Sequence, residues 1–445
     1  MAVQPEDIRL LANDRFRHLL ESRAVGQIGQ NALLYTLLIL IVNETGSSIY
    51  STLLVTAFIL PSIFLGLPAG GLADVLPRRP LLVLGYVMRA ALAAGMIVSA
   101  DDVWTVLLLV LAFSTVGQLT GPAESAALPT LVRRDQLAAG NSLFVLSVMV
   151  GQVVGAVVLA PLILKILSAR ASLGVAAAMF LWAAFIVSLV TGLRGRSDAE
   201  GARRGEGGLI DALTAGWAVL RSSRRAFLAL VYLTVVGTLG KALAVLAPHY
   251  TKDVLDIKTE NAVFVVAPAA IGALAALLLA PPLARWLGAL RVAAAGFVLF
   301  ILGIVGLGLV VLVRDFLVEN VELSLAFVER EVGVSSISVV TMAMMLAIPV
   351  GFAATVVGVA AKAVLNQEAP EGKQGRVFAT QSALSDALSL LPLFAIGAVA
   401  EVVGVREVLL VAAVAAFLAG VYLSVSHRFG PPQAQSADAR QPTSS

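Results

Sequence analysis

The 445 residues contain no cysteine and three histidines, and they carry little charge: Asp, Glu, Lys and Arg together make up 13% of the chain and aromatic residues 6%. Without cysteine there is no disulfide, iron–sulfur cluster or thiolate zinc site. His18, His249 and His427 lie too far apart to form a local metal motif. The chain has no G-x-x-x-x-G-K-[ST] run, so ATP is not its expected energy source. It also lacks an H-E-x-x-H motif, a Ser/His/Asp set and paired carboxylates at membrane depth, so an enzyme is not expected. The net charge of +3 is too small to mark a nucleic-acid surface. Residues 1–20 are polar and charged, unlike the apolar core of a cleavable signal peptide. No cofactor, metal or nucleic-acid partner is therefore expected.

What remains is apolar. The hydrophobic fraction is 59% and the mean hydropathy +0.93, outside the range of soluble domains. Stretches such as Ala24–Asn43, Val103–Ala123 and Val292–Val313 hold no Lys, Arg, Asp or Glu. Crossing a hydrocarbon layer of about 30 Å takes about 20 helical residues, so each stretch is long enough to span. The spans read as Leu19–Asn43, Ile49–Ala73, Pro80–Ala100, Val103–Ala123, Leu137–Leu164 and Ala171–Leu193, followed by Ala226–His249, Asn261–Ala284, Val292–Val313, Val339–Ala361, Val377–Ala400 and Val408–Ser426. The expected fold class is an all-α membrane protein of twelve transmembrane helices in two six-helix bundles.

Basic residues set the orientation. Most of the 31 Lys and Arg fall on one side: Arg15, Arg17, Arg78, Arg79, Arg133, Arg134, Lys373 and Arg376 among them, and seven more in the central linker. Positive charge is retained on the cytoplasmic side, which places both termini and the linker there. The expected organisation is a first bundle over residues 1–193, a cytoplasmic linker over 194–225, a second bundle over 226–427 and a disordered cytoplasmic tail over 428–445. In the linker, Ile210, Leu213, Trp217 and Leu220 share a helical face and suit an amphipathic helix on the inner leaflet. An acidic insert over 314–338 is too interrupted by charge to span, and is expected outside the cell as a folded flap near the cavity mouth.

The halves read as repeats. Leu67-Pro68-Ala69, Leu72-Ala73, Leu76 and Gly85 align with Leu278-Leu279-Ala280, Leu283-Ala284, Leu287 and Gly296. Pro129, Ala138 and Leu143 realign with Pro370, Ala379 and Leu384 once extra residues are allowed in the second half, where Arg314–Ser338 lies. Two such halves fit a repeat-built secondary transporter. Gly70-Gly71-Leu72-Ala73-Asp74-Val75-Leu76-Pro77-Arg78-Arg79 follows the second helix. It resembles motif A of the major facilitator superfamily at Gly70, Leu72, Ala73, Asp74, Arg78 and Arg79, and departs from it at Val75 and Pro77. The resemblance implies a gating role for Gly70, Asp74, Arg78 and Arg79.

Two further stretches narrow the likeness. Gly121-Pro122-Ala123-Glu124 through Leu143 resembles the loop between helices four and five in the exporter branch related to the enterobactin exporter, and Gln374-Gly375-Arg376-Val377-Phe378-Ala379 resembles its counterpart in the second half. With Gly29-Gln30-Asn31-Ala32-Leu33 in helix one, these stretches are also similar, more weakly, to lysophospholipid flippases of the superfamily. Those commonly carry G-D-N-A-L, and Gln30 stands here where they have the acid.

Ionisable groups at membrane depth are costly and so are candidate functional residues. Lys241 shares a face of helix seven with Thr234, Thr238 and His249; the alternative places its ammonium at the outer headgroups. Asp386 lies near the middle of helix eleven beside Gln381, Ser382, Ser385 and Ser389, where it either couples to protons or hydrogen-bonds a neighbouring helix. Arg89 lies in helix three, either functional, anchoring packing or snorkelling to the surface. Gln27, Gln30, Asn31 and Tyr35 in helix one, Ser114 and Gln118 in helix four, and Glu124 complete the coupling and substrate candidates; the resemblance implies that helices one, four, seven and ten line the cavity.

These readings lead to a monomeric efflux transporter in the bacterial inner membrane, exporting an amphipathic or apolar small molecule in exchange for protons by alternating access. Its expected partners are that solute, protons and membrane lipids. Flipping of a lysophospholipid or other lipid is the alternative.

Overall fold

The computed structural model describes residues 10, 12–133, 136–191, 217–221, 223–257, 262–320, 339–369 and 374–426. The first six rods are α1 (Asp14–Thr45), α2 (Ser48–Val75), α3 (Arg78–Val98), α4 (Val103–Leu131), α5 (Leu137–Gln152, a π-helical stretch Val153–Leu159, then Ala160–Ile166) and α6 (Ala169–Ser188). The second six are α7 (Arg224–Asp253), α8 (Ala262–Leu287), α9 (Ala289–Asn320), α10 (Val339–Glu368), α11 (Gln374–Val403) and α12 (Val405–Ser426). Twelve helices among the described residues are long and apolar enough to cross a membrane. At 20 residues, even α6 reaches about 30 Å.

Polar residues at the ends fix where the rods stop. The Asn13 side chain accepts from the Arg15 and Phe16 amides and so caps α1, while its own amide donates to the Leu131 carbonyl at 2.9 Å, tying the start of α1 to the end of α4. Gly46, in the left-handed region at φ +65°, ends α1 and turns the chain into α2. Asp102 caps α4 through the Trp104 amide at 3.2 Å. The Thr105 hydroxyl beside it holds the Asp102 carboxyl below its ordinary range, with the backbone amides of the same turn adding to this.

Helix pairing repeats between the halves. In the first half α1 packs on α5 and α6, α2 on α4, and α3 on α4 and α6; in the second, α7 packs on α11 and α12, α8 on α10, and α9 on α10 and α12. The α8–α10 crossing is the closest-fitting: a Cβ on Gly272 would overlap the Ile348 carbonyl, and one on Gly351 the Ala269 carbonyl. Small residues at such crossings let backbones approach. Each half has its own apolar core, one centred on Phe16, Tyr86, Phe113 and Phe180, the other on Tyr232, Phe297 and Phe300. Large apolar side chains such as Leu181, Phe185, Val411 and Leu418 face outward, as lipid requires.

The halves meet along α2 and α11, with α7 alongside. Ile59, Ala242, Val245 and Leu393 form an apolar cluster across the seam. Further from the chain termini, the Ser47 hydroxyl donates to Glu401, and a Cβ on Gly397 would overlap the Thr52 hydroxyl. These contacts join the halves at the end of the bundle remote from the termini.

Three expectations fall partly outside the described residues. The linker over 194–225 is represented by Trp217–Arg221, which is helical with Leu220 packed into the second core; the rest of the expected amphipathic helix lies outside them. Within the acidic insert, α9 runs on to Asn320, so the insert is not a separate element from Arg314; 321–338 lie outside, as does the whole tail over 428–445. Glu124 corrects the sequence reading. The expected fourth span ended at Ala123, with Glu124 in the loop that the resemblance placed there, yet α4 continues to Leu131 and carries Glu124 inside.

Candidate functional site

At the centre, α7 presents Lys241 toward α11. Lys241 Nζ stands 2.7 Å from Asp386 Oδ1 and 3.0 Å from Ser389 Oγ. The other carboxylate oxygen, Oδ2, accepts from the Ser62 hydroxyl of α2 at 2.9 Å, so this ion pair is fastened across the seam between the halves. Beside it, Thr234 and Ser385 share a hydrogen bond of 2.8 Å and Gln381 Nε2 donates to Ser385 Oγ at 3.0 Å. The site is about 25 Å along α7 from Arg224, deep in the span. Both charged side chains are about three-quarters buried. Lys241 is therefore held by a carboxylate inside the bundle, and the outer-headgroup alternative does not describe it. His249, two turns further along α7, is buried.

A cavity of about 700 Å³ opens beside this pair. The first half contributes Asn31, Tyr35, Phe58 and Gln152, and the π-helical stretch of α5 adds Ala156 and Val157. The second half contributes Lys241, Tyr250, Phe300 and small residues of α7, α8 and α10 such as Gly240, Ala269 and Gly351. Its walls are almost wholly apolar, with a few polar groups placed among them, as in sites that bind drug-sized molecules.

A second polar cluster lies inside the first half. Arg23 of α1 pairs with Glu124 of α4, which also accepts from the Tyr86 hydroxyl of α3. The Arg23 guanidinium lies 4.8 Å from the Phe144 ring centroid. Arg89 is 5% exposed and lies between the rings of Phe113 and Phe180, at 4.2 and 4.7 Å from their centroids. Its guanidinium donates to Gln30 Oε1. Arg89 is thus held inside the first half and does not snorkel. Gln30, in the place of an acid, supplies a neutral acceptor.

The sequence candidates therefore separate into groups. Lys241 and Asp386 come together; Asn31 reaches the cavity, its amide donating to the Gln27 carbonyl at 2.8 Å; Arg89 and Gln30 pair; Glu124 joins Arg23 and Tyr86. Gln27 and Gln118 are half-buried and neither lines the cavity. Ser114 donates to the Phe58 carbonyl of α2. Sequence reasoning passed over Ser62, Arg23 and Tyr86. A serine or tyrosine in apolar text carries no pattern of its own, and Arg23 reads as one more flanking charge.

The sequence profile described as Major Facilitator Superfamily matches residues 23–348. The chain belongs to this superfamily. No curated protein matches it in sequence. Among solved structures, it is similar to the nucleoside transporter NupG, with a TM-score of 0.70 at 13% identity over 93% of this chain and 100% of that one. It is also similar to a bacterial homologue of the human lysosomal transporter Spinster in an inward-facing, unoccupied conformation, with a TM-score of 0.68 at 14% identity over 95% of this chain and 97% of that one. A bacterial homologue of the iron transporter ferroportin, inward-facing, aligns with a TM-score of 0.60 at 19% identity over 92% and 98% of the two chains. These likenesses show the fold, which is that of transporters. With its twelve spanning helices, the superfamily member is a multi-pass membrane protein.

The motif residues sit where α2 passes into α3. Gly70 and Asp74 belong to the last turns of α2; the Asp74 side chain lies outside the described residues. Pro77, in place of the motif's glycine, stands at the N-cap of α3 with φ −64°. Arg78 is buried, whereas Arg79 is exposed and donates to the Ser188 carbonyl at the end of α6.

Proposed function

We propose that this protein is a secondary active transporter that exports an amphipathic or apolar small molecule by alternating access, coupled to protons at Asp386. One observation carries the reading: a largely apolar cavity between the halves is flanked by an ion pair whose carboxylate also bonds the opposite half. Proton arrival removes the charge that Lys241 and Ser62 share, so the pair and the seam respond together. Proton exchange at Asp386 then biases which end of the bundle is closed, and the solute moves with that change.

The basic flanks support cytoplasmic termini and a place in the bacterial inner membrane. With that orientation, the end where Ser47 meets Glu401 and Thr52 meets Gly397 faces outward, and on this reading the cavity loads from the cytoplasm, as export requires. On this reading Gly70, Asp74, Arg78 and Arg79 form the gate on the cytoplasmic side, and the transporter works as a monomer. The lipid-flipping alternative gains no support from the neighbours, one of which is named as a nucleoside transporter.

The test is transport by purified protein in liposomes under an imposed pH gradient. Three dansyl-labelled undecyl probes are used, differing only in head group: sulfonate, trimethylammonium and hydroxyl. Movement of at least one of them that collapses on adding a protonophore is expected. Movement indifferent to the gradient would rule out the proton-coupled reading.

A further inference from the structure

The ion pair is not symmetrical with respect to the cavity. Lys241 lines it, whereas Asp386 stands behind the ammonium, turned toward Ser62 at the α2–α11 seam. Among the described residues that line the cavity, Lys241 is the one charged side chain, and no Asp or Glu is present. The remaining polar lining includes the amides of Asn31 and Gln152, both from the first half. A ligand entering this space therefore meets an apolar wall with a single ammonium at its edge.

Charge bookkeeping separates the possible ligands. A cationic amphiphile would bring a second positive charge beside Lys241 and would have to displace the ammonium from Asp386 to find a partner. That would leave two cations to one carboxylate in a medium where an unpaired charge is costly. A neutral ligand could accept a hydrogen bond from Lys241 but would leave the ammonium's charge with Asp386, so the pair would not respond to it. An anion can take up the ammonium from the cavity side, and a proton can then neutralise the carboxylate left behind. Each state would then hold as many positive as negative charges at the site.

We infer that the cavity binds an amphipathic monoanion, an apolar body bearing one carboxylate, sulfonate or phosphate group, with that group seated on Lys241. The inference rests on the transport reading and names its substrate class, but it has ligand and proton bound together, which is co-transport and not the exchange expected from the sequence; it concerns binding alone and is tested without transport. The apolar body occupies the space between Phe58 and Phe300, and the head group lies within the reach of residues from both halves. Release of Asp386 from Lys241 is the step through which the ligand's charge reaches the seam.

The test is equilibrium binding of the same three probes to protein in nanodiscs, with protein-free nanodiscs subtracted. The sulfonate is expected to bind saturably and at least tenfold more tightly than the trimethylammonium probe. Asp386→Asn, which frees the ammonium, is expected to strengthen sulfonate binding about fivefold. Lys241→Gln leaves Asp386 without its partner and can misfold, so the informative loss is in Lys241→Gln/Asp386→Asn, which removes both charges. That double variant is expected to bind the hydroxyl probe as the wild type does and to lose tenfold or more of its sulfonate affinity, while Lys241→Arg retains it. Displacement of the sulfonate by phosphatidylglycerol but not phosphatidylcholine would assign the anionic group to a lipid headgroup; indifference to both would assign it to a soluble amphiphile. Tighter binding of the cationic probe, or unchanged sulfonate affinity in the double variant, would overturn the inference. If the sulfonate binds as described but does not move under a pH gradient, the binding inference stands and the transport reading fails.

Discussion

The Ser62 hydroxyl of α2 donates to Asp386 of α11 at 2.9 Å, joining the two halves at the carboxylate that also holds Lys241. A group whose charge state matters to its own half thereby bears on how that half sits against the other. Contacts of this kind give a proton or a ligand its leverage, because they differ between two arrangements of the bundle.

Ser62→Ala removes this hydrogen bond without touching the ion pair. A hydrogen bond to a charged group is worth about 1.5 kcal/mol or more net, so the closed outer end should lose roughly tenfold in population relative to the open form. Because the chain has no native cysteine, Ala244→Cys in the cavity wall gives a single labelling site. Its modification by an impermeant maleimide from the outer side should speed up by about that factor in Ser62→Ala. An unchanged rate would show that the bond does not hold the seam.

Arg89 and Gln30 make a separable prediction about stability. Gln30→Leu would leave the buried guanidinium with its two aromatic rings but without its side-chain acceptor, at a cost of about 2 kcal/mol. Gln30→Glu would place an acid at the guanidinium and should fold at least as well as the wild type. Thermal unfolding of the two variants in one detergent checks the order; a Glu variant less stable than the Leu variant would contradict the packing role.

For the gate, Asp74→Asn should insert and fold normally yet transport at a small fraction of the wild-type rate. The proposed gating role rests on charge-assisted bonds that a carboxylate makes and an amide makes less well. Binding of the sulfonate probe should be unaffected. Wild-type transport by a well-expressed Asp74→Asn protein would remove Asp74 from the gate.

Much of the fold was legible because an apolar run of about 20 residues has few physical meanings. All twelve expected spans are helices, but several run beyond the apolar text. α1 starts at Asp14, five residues ahead of Leu19, because Asn13 caps it and polar residues continue a helix past the hydrocarbon. The fourth span reads as ending at Ala123, and the resemblance puts Glu124 in the loop beyond it, because the apolar text gives out there; α4 continues to Leu131, tolerating Pro122 and Pro129 as membrane helices do. Lys241 and Asp386 stood out individually as charges in apolar text. Their partnership did not, since it joins positions 145 apart through the packing of α7 on α11. Ser62 left no trace in the pattern, because its hydroxyl also bonds the Ile59 carbonyl of its own helix and sits there at little cost.

The most direct test of the account compares Asp386→Asn with the wild type in proteoliposomes, following the three undecyl probes under an imposed pH gradient. The account predicts that the wild type moves the sulfonate and that Asp386→Asn binds it but does not accumulate it against its own gradient. Undiminished gradient-driven transport by Asp386→Asn would contradict the assignment of coupling to this ion pair.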